Sequence, residues 1–180
     1  MSPLEPIRRS AARLLVVGTL VLVVLADQAS KTWALDALSD GPVDLFWTLR
    51  LRLTFNSGAA FSLGEGFPWV FAGLAIIVLV GLGFLVLRST LGRASAVALG
   101  LVAGGAIGNL VDRLVRSHDG AVVDFIDLQW WPVFNLADAC LFVGIGLLLL
   151  TWGRSGSAAP SEEQESTTTP IAALDQAEAL

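Results

Sequence analysis

Residues 67–87 read FPWVFAGLAIIVLVGLGFLVL, and this uncharged run decides the class of fold. About twenty consecutive apolar residues are enough for an α-helix to cross the hydrocarbon core of a membrane. The whole chain agrees, because 54% of its 180 residues are hydrophobic, only 15% are charged and its mean hydropathy is +0.71. Soluble domains usually carry about 25% charged residues. We therefore predict an integral membrane protein with one domain.

The start of the chain allows two interpretations. Arg8, Arg9 and Arg13 precede an apolar stretch over residues 14–26, which is typical of either a cleaved signal peptide or a first membrane helix. Helical continuation as far as Trp33 gives about 20 residues, enough to span. We favour the uncleaved helix.

Two more apolar stretches follow residue 87. Residues 94–111 read ASAVALGLVAGGAIGNLV, where Gly100, Gly104 and Gly108 share one helix face and favour close helix packing. A last stretch covers residues 136–152. We predict an all-α membrane protein whose four transmembrane helices cover about residues 12–32, 67–87, 94–112 and 136–153.

These spans make up one predicted domain, residues 1–154. After Arg154 the composition changes to Ser, Thr, Pro, Ala and Glu, which cannot bury enough apolar surface to fold. We expect residues 155–180 to be a disordered cytoplasmic tail. Five of the sixteen acidic residues lie after residue 160, so the net charge of −5 says little about the rest of the chain.

The first connection, about residues 34–66, contains the stretch LFWTLRLRLTF at residues 45–55. Leu and Arg alternate there with a period of two, which predicts a β-strand. Trp47 suits a small sheet at the membrane surface, where tryptophan is common. Basic residues are dense before the first span and in the short second connection, at Arg88 and Arg93, so both sides are expected to be cytoplasmic. Both chain ends would then face the cytoplasm.

Several classes of site are disfavoured by the residue types present. The single cysteine, Cys140, excludes an intramolecular disulfide and is interpreted as a packing residue. The single histidine, His118, would have to serve any catalytic triad alone. No cluster of metal ligands is visible. We expect no cofactor, no metal and no nucleic-acid partner.

Polar and charged residues gather near the outer ends of the predicted spans. Their spacing of three or four places them on common helix faces. Ion pairing or anchoring at the membrane interface would explain Asp27 with Lys31 and Asp112 with Arg113. Asp138 has no cation within a helical turn. The set comprises Asp27, Lys31, Asn109, Asp112, Arg113, Asp124, Asp127, Asn135 and Asp138.

Two carboxylates in a dry pocket cannot both ionise, so the pair holds one proton near neutral pH. The ionised member can take a proton from attacking water, while the protonated member donates to the carbonyl oxygen of a peptide bond. Asp138 and Asp124 are the candidates for such a pair, and Asp112 is the rival of Asp124.

Parts of the sequence are compatible with three other functions. Ser30 or Ser57 with Lys31 would suggest a Ser/Lys hydrolase, but adjacent residues on a helix do not face each other. A transporter or proton channel would use intramembrane acids as a relay, yet here the acids gather at one end. A scaffold protein would need only the glycine-rich spans and would leave Asp138 unexplained.

The sequence resembles the lipoprotein signal peptidases, also called signal peptidase II. Five short segments carry the resemblance, in order and correctly placed relative to four spans. They are DQASK at 27–31, NSGAAF at 56–61, GGAIGNLVDR at 104–113, VVDF at 122–125 and FNLAD at 134–138.

The resemblance implies an intramembrane aspartyl endopeptidase of the bacterial inner membrane. Such an enzyme removes the signal peptide of diacylglyceryl-modified prolipoproteins before the lipidated cysteine, without a cofactor, and is inhibited by globomycin. It further implies a sheet and a surface helix in the first connection, a site near the extracytoplasmic face, and contact with membrane lipid; we expect a monomer. Asp124 and Asp138 would be catalytic and Asp27 and Lys31 structural, while Asn56, Gly58, Asn109, Asp112, Arg113 and Asn135 would support the site and bind substrate.

Overall fold

The computed structural model describes residues 5–58 and 67–155. These residues form four helices and three strands. In chain order they are α1 (Glu5–Ala37), β1 (Val43–Phe46), β2 (Leu49–Asn56), α2 (Pro68–Arg88), α3 (Arg93–Val115), β3 (Val122–Asp127) and α4 (Leu136–Ser155).

Three of these helices are long and apolar enough to cross a membrane, namely Arg9–Ala37 within α1, α2 and α3. The apolar part of α4, Leu136–Thr151, is shorter. Helix α1 extends beyond the predicted 12–32 at both ends, since it continues without a break from Glu5 to Ala37. The class of an integral, mostly helical membrane protein is thereby confirmed.

Helix α3 lies between α1 and α4, and glycine allows the close approach. A Cβ atom at Gly104 would lie 2.7 Å from the Cβ of Val23 on α1. One at Gly105 would lie 2.5 Å from the carbonyl oxygen of Ala137 on α4. The predicted face of Gly100, Gly104 and Gly108 is confirmed, since all three positions contact α1.

Helix α2 is attached more loosely. Only Pro68 and Ala72 of this helix are buried. At its other end Arg13 of α1 donates a hydrogen bond to the backbone oxygen of Leu87, at 2.9 Å. The start of α1 and the end of α2 therefore lie on the same side of the bundle.

The three strands form one antiparallel sheet in the order β1-β2-β3. The predicted alternation at residues 45–55 is observed as the β1–β2 hairpin. The third strand of the sheet, β3, comes from the connection between α3 and α4, where no strand was predicted from the sequence. Val122–Asp127 is short and largely apolar, so its strand character becomes visible only once β2 pairs with it, with Thr54 opposite Asp124.

One face of the sheet covers the C-terminal end of α1. Phe125 packs with the buried side chains of Ala34 and Leu38, and Leu51 and Leu53 of β2 complete this cluster. The opposite face of β2 carries Asn56 at its end. Residues 38–58 contain no helix, and residues 59–66 lie outside the described residues, so the surface helix stays a prediction.

Candidate active site

Side chains from α3, β2, β3 and α4 converge at one end of the helical bundle. Asp124 belongs to β3 and Asp138 to the first turn of α4, while Asn109 and Arg113 are on α3. Antiparallel pairing of β2 with β3 places Asn56 beside them. The sheet and the bundle therefore meet at this point.

Asp124 is a buried carboxylate with two amide donors. The residue is only 1% exposed. Asn56 Nδ2 donates to Oδ2 at 3.0 Å, and Asn135 Nδ2 donates to Oδ1 at 2.7 Å. Burial, and next the negative charge of Asp138, raise the pKa of Asp124 to about 7 against the opposing effect of the two amides. This carboxyl group can therefore keep a proton close to neutral pH.

Asp138 is held by the N-terminus of its own helix and by α3. Asn135 precedes α4, and its Oδ1 accepts the backbone N–H of Asp138 at 2.9 Å. In return Asp138 Oδ2 accepts the backbone N–H of Asn135 at 3.3 Å, which makes a reciprocal cap of the helix. Asn109 Nδ2 donates to Asp138 Oδ1 at 2.7 Å. Both oxygens are therefore fixed.

Asn135 joins the two carboxylates directly. Its amide nitrogen donates to Asp124 and its backbone N–H to Asp138. The same amide nitrogen also donates to Asn109 Oδ1 at 3.0 Å. One fully buried residue thus holds the two acids next to each other.

A cavity of about 610 Å³ opens beside the two acids. Arg113 lies in its wall and donates from Nη2 to the backbone oxygen of Gly58 at 2.8 Å. The remaining wall is mostly apolar and runs along α4 and the segment before it. It includes Leu128, Trp130, Trp131, Val133, Phe134, Leu141, Phe142 and Ile145. The shape suits an apolar ligand with a polar group at one end.

Asp27, Lys31 and Asp112 form a second buried cluster, which Lys31 joins to the site by donating from Nζ to Asn109 Oδ1 at 2.9 Å. Lys31 Nζ lies 2.9 Å from Asp27 Oδ2 and 2.9 Å from Asp112 Oδ2, and all three side chains are 0% exposed. The pairing expected for Asp27 with Lys31 is confirmed. Asp112 pairs with Lys31 and Arg116, whereas no ion pair within the described ranges joins it to Arg113. Adjacent helical residues point in different directions, which explains the difference.

Asp112 does not line the cavity that Asp124 and Asp138 share. Both of its oxygens are occupied by cations and other donors. The geometry therefore favours Asp124 as the partner of Asp138. Lys31, held by two carboxylates, also gives no support to a Ser/Lys hydrolase, since the Ser30 hydroxyl donates to the backbone oxygen of Asp27.

Two sets of contacts were not predicted from the sequence. Arg116 and Gln28 complete the buried cluster, and the spacing of four between Asp112 and Arg116 could have revealed the first of them. Asp127, which is 2% exposed, accepts hydrogen bonds from Arg50 and Arg52 of β2. This ion pair joins β2 to β3 away from the cavity.

Comparisons with known proteins agree with this geometry. Residues 19–153 match the family model described as signal peptidase (SPase) II. A lipoprotein signal peptidase of Syntrophomonas wolfei is 44% identical over 135 residues, which are 74% of this chain and 88% of that protein. One from Mycolicibacterium smegmatis is 39% identical over 91% of this chain and 73% of its own length.

A solved structure described as a bacterial membrane enzyme superimposes with a TM-score of 0.72 at 27% identity. The match covers 82% of this chain and 93% of that one. A second such structure gives a TM-score of 0.64 at 28% identity. The fold is thus similar to that of bacterial membrane enzymes. The chain belongs to the signal peptidase II family and is a lipoprotein signal peptidase, a protease that removes the signal peptides of prolipoproteins.

Proposed function

We propose that Asp124 and Asp138 are the catalytic pair of this peptidase. The observation that supports the pair is Asn135, which donates to both carboxylates from one buried position. With a single shared proton, the ionised acid accepts a proton from water as the water oxygen attacks the scissile carbonyl. The protonated acid donates to the carbonyl oxygen and afterwards protonates the leaving amine. The shared proton belongs to the pair and not to one residue.

The surrounding residues have supporting roles in this proposal. Asn56 and Asn109 each donate to one of the carboxylates and keep them in place. Arg113 holds the backbone at Gly58 and brings a positive charge to the cavity wall. That charge offsets the single negative charge of the pair. Asn135 orients both acids, while Asp27, Lys31 and Asp112 form the framework behind them.

The proposed substrate is a prolipoprotein whose cysteine already carries diacylglycerol, cut just before that cysteine. The cavity supports this choice, because its polar end holds the two acids and its apolar wall continues along α4 toward Ile145. Apolar chains reaching the site from the membrane would meet that wall. Inhibition by globomycin is expected.

We further propose four membrane spans, with both chain ends in the cytoplasm and the active site near the extracytoplasmic face of the bacterial inner membrane. Arg9, Arg13, Arg88 and Arg93 lie at the opposite end of the bundle from the acids, as the distribution of basic residues across such membranes requires. All proposed site residues come from one chain, which supports a monomer.

The proposal is tested by cleavage of a diacylated prolipoprotein by the purified protein in detergent. We expect Asp124→Asn and Asp138→Asn each to lower turnover by at least about 10³-fold, because each removes an ionisable group that handles a proton. Asp127→Asn is the matched control, since Asp127 lies three residues along the same strand but faces Arg50. It should retain turnover within about tenfold, because the ion pairs of Asp127 with the partly exposed Arg50 and Arg52 contribute little. Full turnover by the Asp124 or Asp138 variant would remove that residue from the mechanism.

A further inference from the structure

Arg116, at the C-terminal end of α3, makes an unusually complete set of contacts for a residue that does not line the cavity. Its Nε donates to Asp112 Oδ1 at 3.0 Å. Its Nη2 lies 3.1 Å from Gln28 Oε1, 3.3 Å from the Gln28 backbone oxygen and 3.1 Å from Thr32 Oγ1. The guanidinium group therefore connects α3 to the outer part of α1.

The contact with Asp112 determines how that carboxylate is oriented. Asp112 Oδ1 accepts from Arg116 and from Gln28 Nε2. Its Oδ2 faces the other way and accepts from Lys31 Nζ and from the backbone N–H of Val123, both near 3.0 Å. With two donors on each oxygen, the carboxylate has one favoured orientation.

The Val123 hydrogen bond carries this orientation to β3. Val123 is 0% exposed and directly precedes Asp124 in the strand. The hydrogen bond from Val123 N–H to Asp112 Oδ2 therefore links α3 to the backbone of β3 at the residue next to the proposed catalytic acid. A rotated Asp112 would release the Val123 N–H and allow Asp124 to shift relative to Asn135 and Asp138.

Charge makes Arg116 necessary for this arrangement. Asp27 and Asp112 bring two negative charges into the fully buried cluster, and Lys31 brings one positive charge. Arg116 supplies the second positive charge and balances the cluster. Without it, Lys31 alone among the described residues would form ion pairs with these two buried carboxylates.

We propose that Arg116 is a positioning residue for peptide cleavage, acting through Asp112 and the Val123 backbone on Asp124. This inference rests on the proposed role of Asp124. Since Arg116 does not contact the cavity, its loss should change turnover and leave the KM for the prolipoprotein nearly unchanged.

Three variants separate positioning from a general structural role. Arg116→Gln removes both the charge and the donors, and we expect kcat per folded enzyme to fall at least about tenfold. Arg116→Lys keeps a cation four residues from Asp112 and should recover kcat to within about threefold of the unchanged protein. Thr32→Val removes one of the contacts of Arg116 with α1, keeps the contact with Asp112 and should leave kcat unchanged. Arg93→Gln, an exposed change at the far end of α3, is the control for altered charge.

Amide hydrogen exchange supplies a readout that does not depend on catalysis. In the Arg116→Gln protein the peptide covering residues 121–125 should exchange at least about fivefold faster, and Thr32→Val should leave its rate unchanged. Unchanged exchange at Val123 together with unchanged kcat in Arg116→Gln would overturn the inference. Equal losses of kcat in Thr32→Val and Arg116→Gln would overturn it too, because loss of the Thr32 contact, with Asp112 still held, would then explain the effect. Active Asp124→Asn protein would instead refute the catalytic pair, while the exchange result would still report on the Arg116 contact.

Discussion

At the scale of single residues, five acidic side chains in and near the site differ in the groups that contact their carboxylates. Asp27 and Asp112 are neutralised by Lys31 and Arg116 inside the bundle, and Asp127 by Arg50 and Arg52 on the sheet. Asp124 and Asp138 receive their hydrogen bonds from neutral amides and from backbone N–H groups. Among the described residues no ion pair reaches Asp124 or Asp138, which distinguishes this proposed pair from the other three acids.

The pKa of Asp124 predicts how cleavage depends on pH. An ordinary aspartate loses its proton near pH 4. Burial and the charge of Asp138 raise the pKa of Asp124 to about 7, so the pair keeps its shared proton up to that pH and loses it above. We therefore expect kcat/KM to fall as pH rises through about 7, measured by initial rates across a buffer series in detergent.

Asn56→Ala provides the comparison for this pH profile. The Asn56 amide favours the ionised form of Asp124, so its removal should move the alkaline limb to higher pH, together with some loss of rate. A limb that stays at the same pH in Asn56→Ala, or activity that continues to rise well above pH 8, would contradict the assignment of the shared proton.

At the scale of elements, α3 organises the molecule. One face, through Gly100, Gly104 and Gly108, contacts α1, and Gly105 contacts α4. In a membrane no hydrophobic effect drives helices together, so close packing of small residues is a main source of association. The C-terminal part of the same helix carries Asn109, Asp112 and Arg113, and the position of α3 therefore sets the positions of these side chains.

Gly104→Leu is expected to destabilise the bundle. A new Cβ would lie 2.7 Å from Val23 Cβ and 3.0 Å from the Leu20 backbone oxygen, so the helices would have to separate. Overpacking of this kind costs about 1–3 kcal/mol. Thermal unfolding in detergent should show a lower Tm, with cleavage lost in parallel as α1 moves away from α3.

Gly81→Leu on α2 is the matched control for that substitution. A Cβ at Gly81 has no neighbour within 4 Å, so the same side chain would point into lipid. Its Tm should stay close to that of the unchanged protein. Equal Tm values for the two variants would show that the α1–α3 contact does not depend on glycine.

At the scale of the whole molecule, polarity along the bundle axis is the main feature. The acids, the sheet and Trp33, Trp47, Trp69, Trp130 and Trp131 lie at one end, and Arg13 meets the end of α2 at the other. Tryptophan concentrates at membrane interfaces and basic residues at the cytoplasmic side. A peptidase arranged in this way would cut its substrate at the outer surface of the membrane.

The orientation can be measured with single cysteines in a Cys140→Ala background. Asp40→Cys lies in the exposed turn after α1, and Gly92→Cys lies in the exposed connection before α3. We expect a membrane-impermeant maleimide to label the Asp40 variant on cells whose outer barriers are permeabilised. The Gly92 variant should be labelled only after the inner membrane is disrupted, and the reverse pattern would invert the proposed topology.

Removal of residues 158–180 should leave cleavage intact, because every proposed site residue lies between residues 27 and 138. This tail lies outside the described residues, and its predicted separation from the domain at residues 1–154 rests on composition. Turnover of the shortened protein within about twofold of the full chain is expected. Complete loss of cleavage would show that the tail takes part in function.

Much of this molecule could be predicted from local patterns in the sequence. The run at residues 67–87, the glycines of α3 and the alternation at residues 45–55 each state a local preference for apolar surroundings, close packing or an extended strand. The thickness of the membrane fixes the length of a spanning helix, and the fixed periods of helix and strand are visible in the sequence, so these local patterns predict secondary-structure elements directly. The residue types of the site, and the resemblance of five segments to one enzyme family, could be recognised in the same way.

The difference between the two candidate partners of Asp138 became visible only in the tertiary structure. Asp112 and Asp124 are both acids at the outer end of the chain's spans, and nothing local distinguishes them. Lys31, 81 positions before Asp112, neutralises one, while Asn56 and Asn135 supply amides to the other. Strand β3 likewise exists because β2 pairs with it. Electrostatic and hydrogen-bond energies depend on distance through space. The partners of Asp112, Asp124 and β3 could therefore be identified only from the fold, which brings residues remote in sequence together.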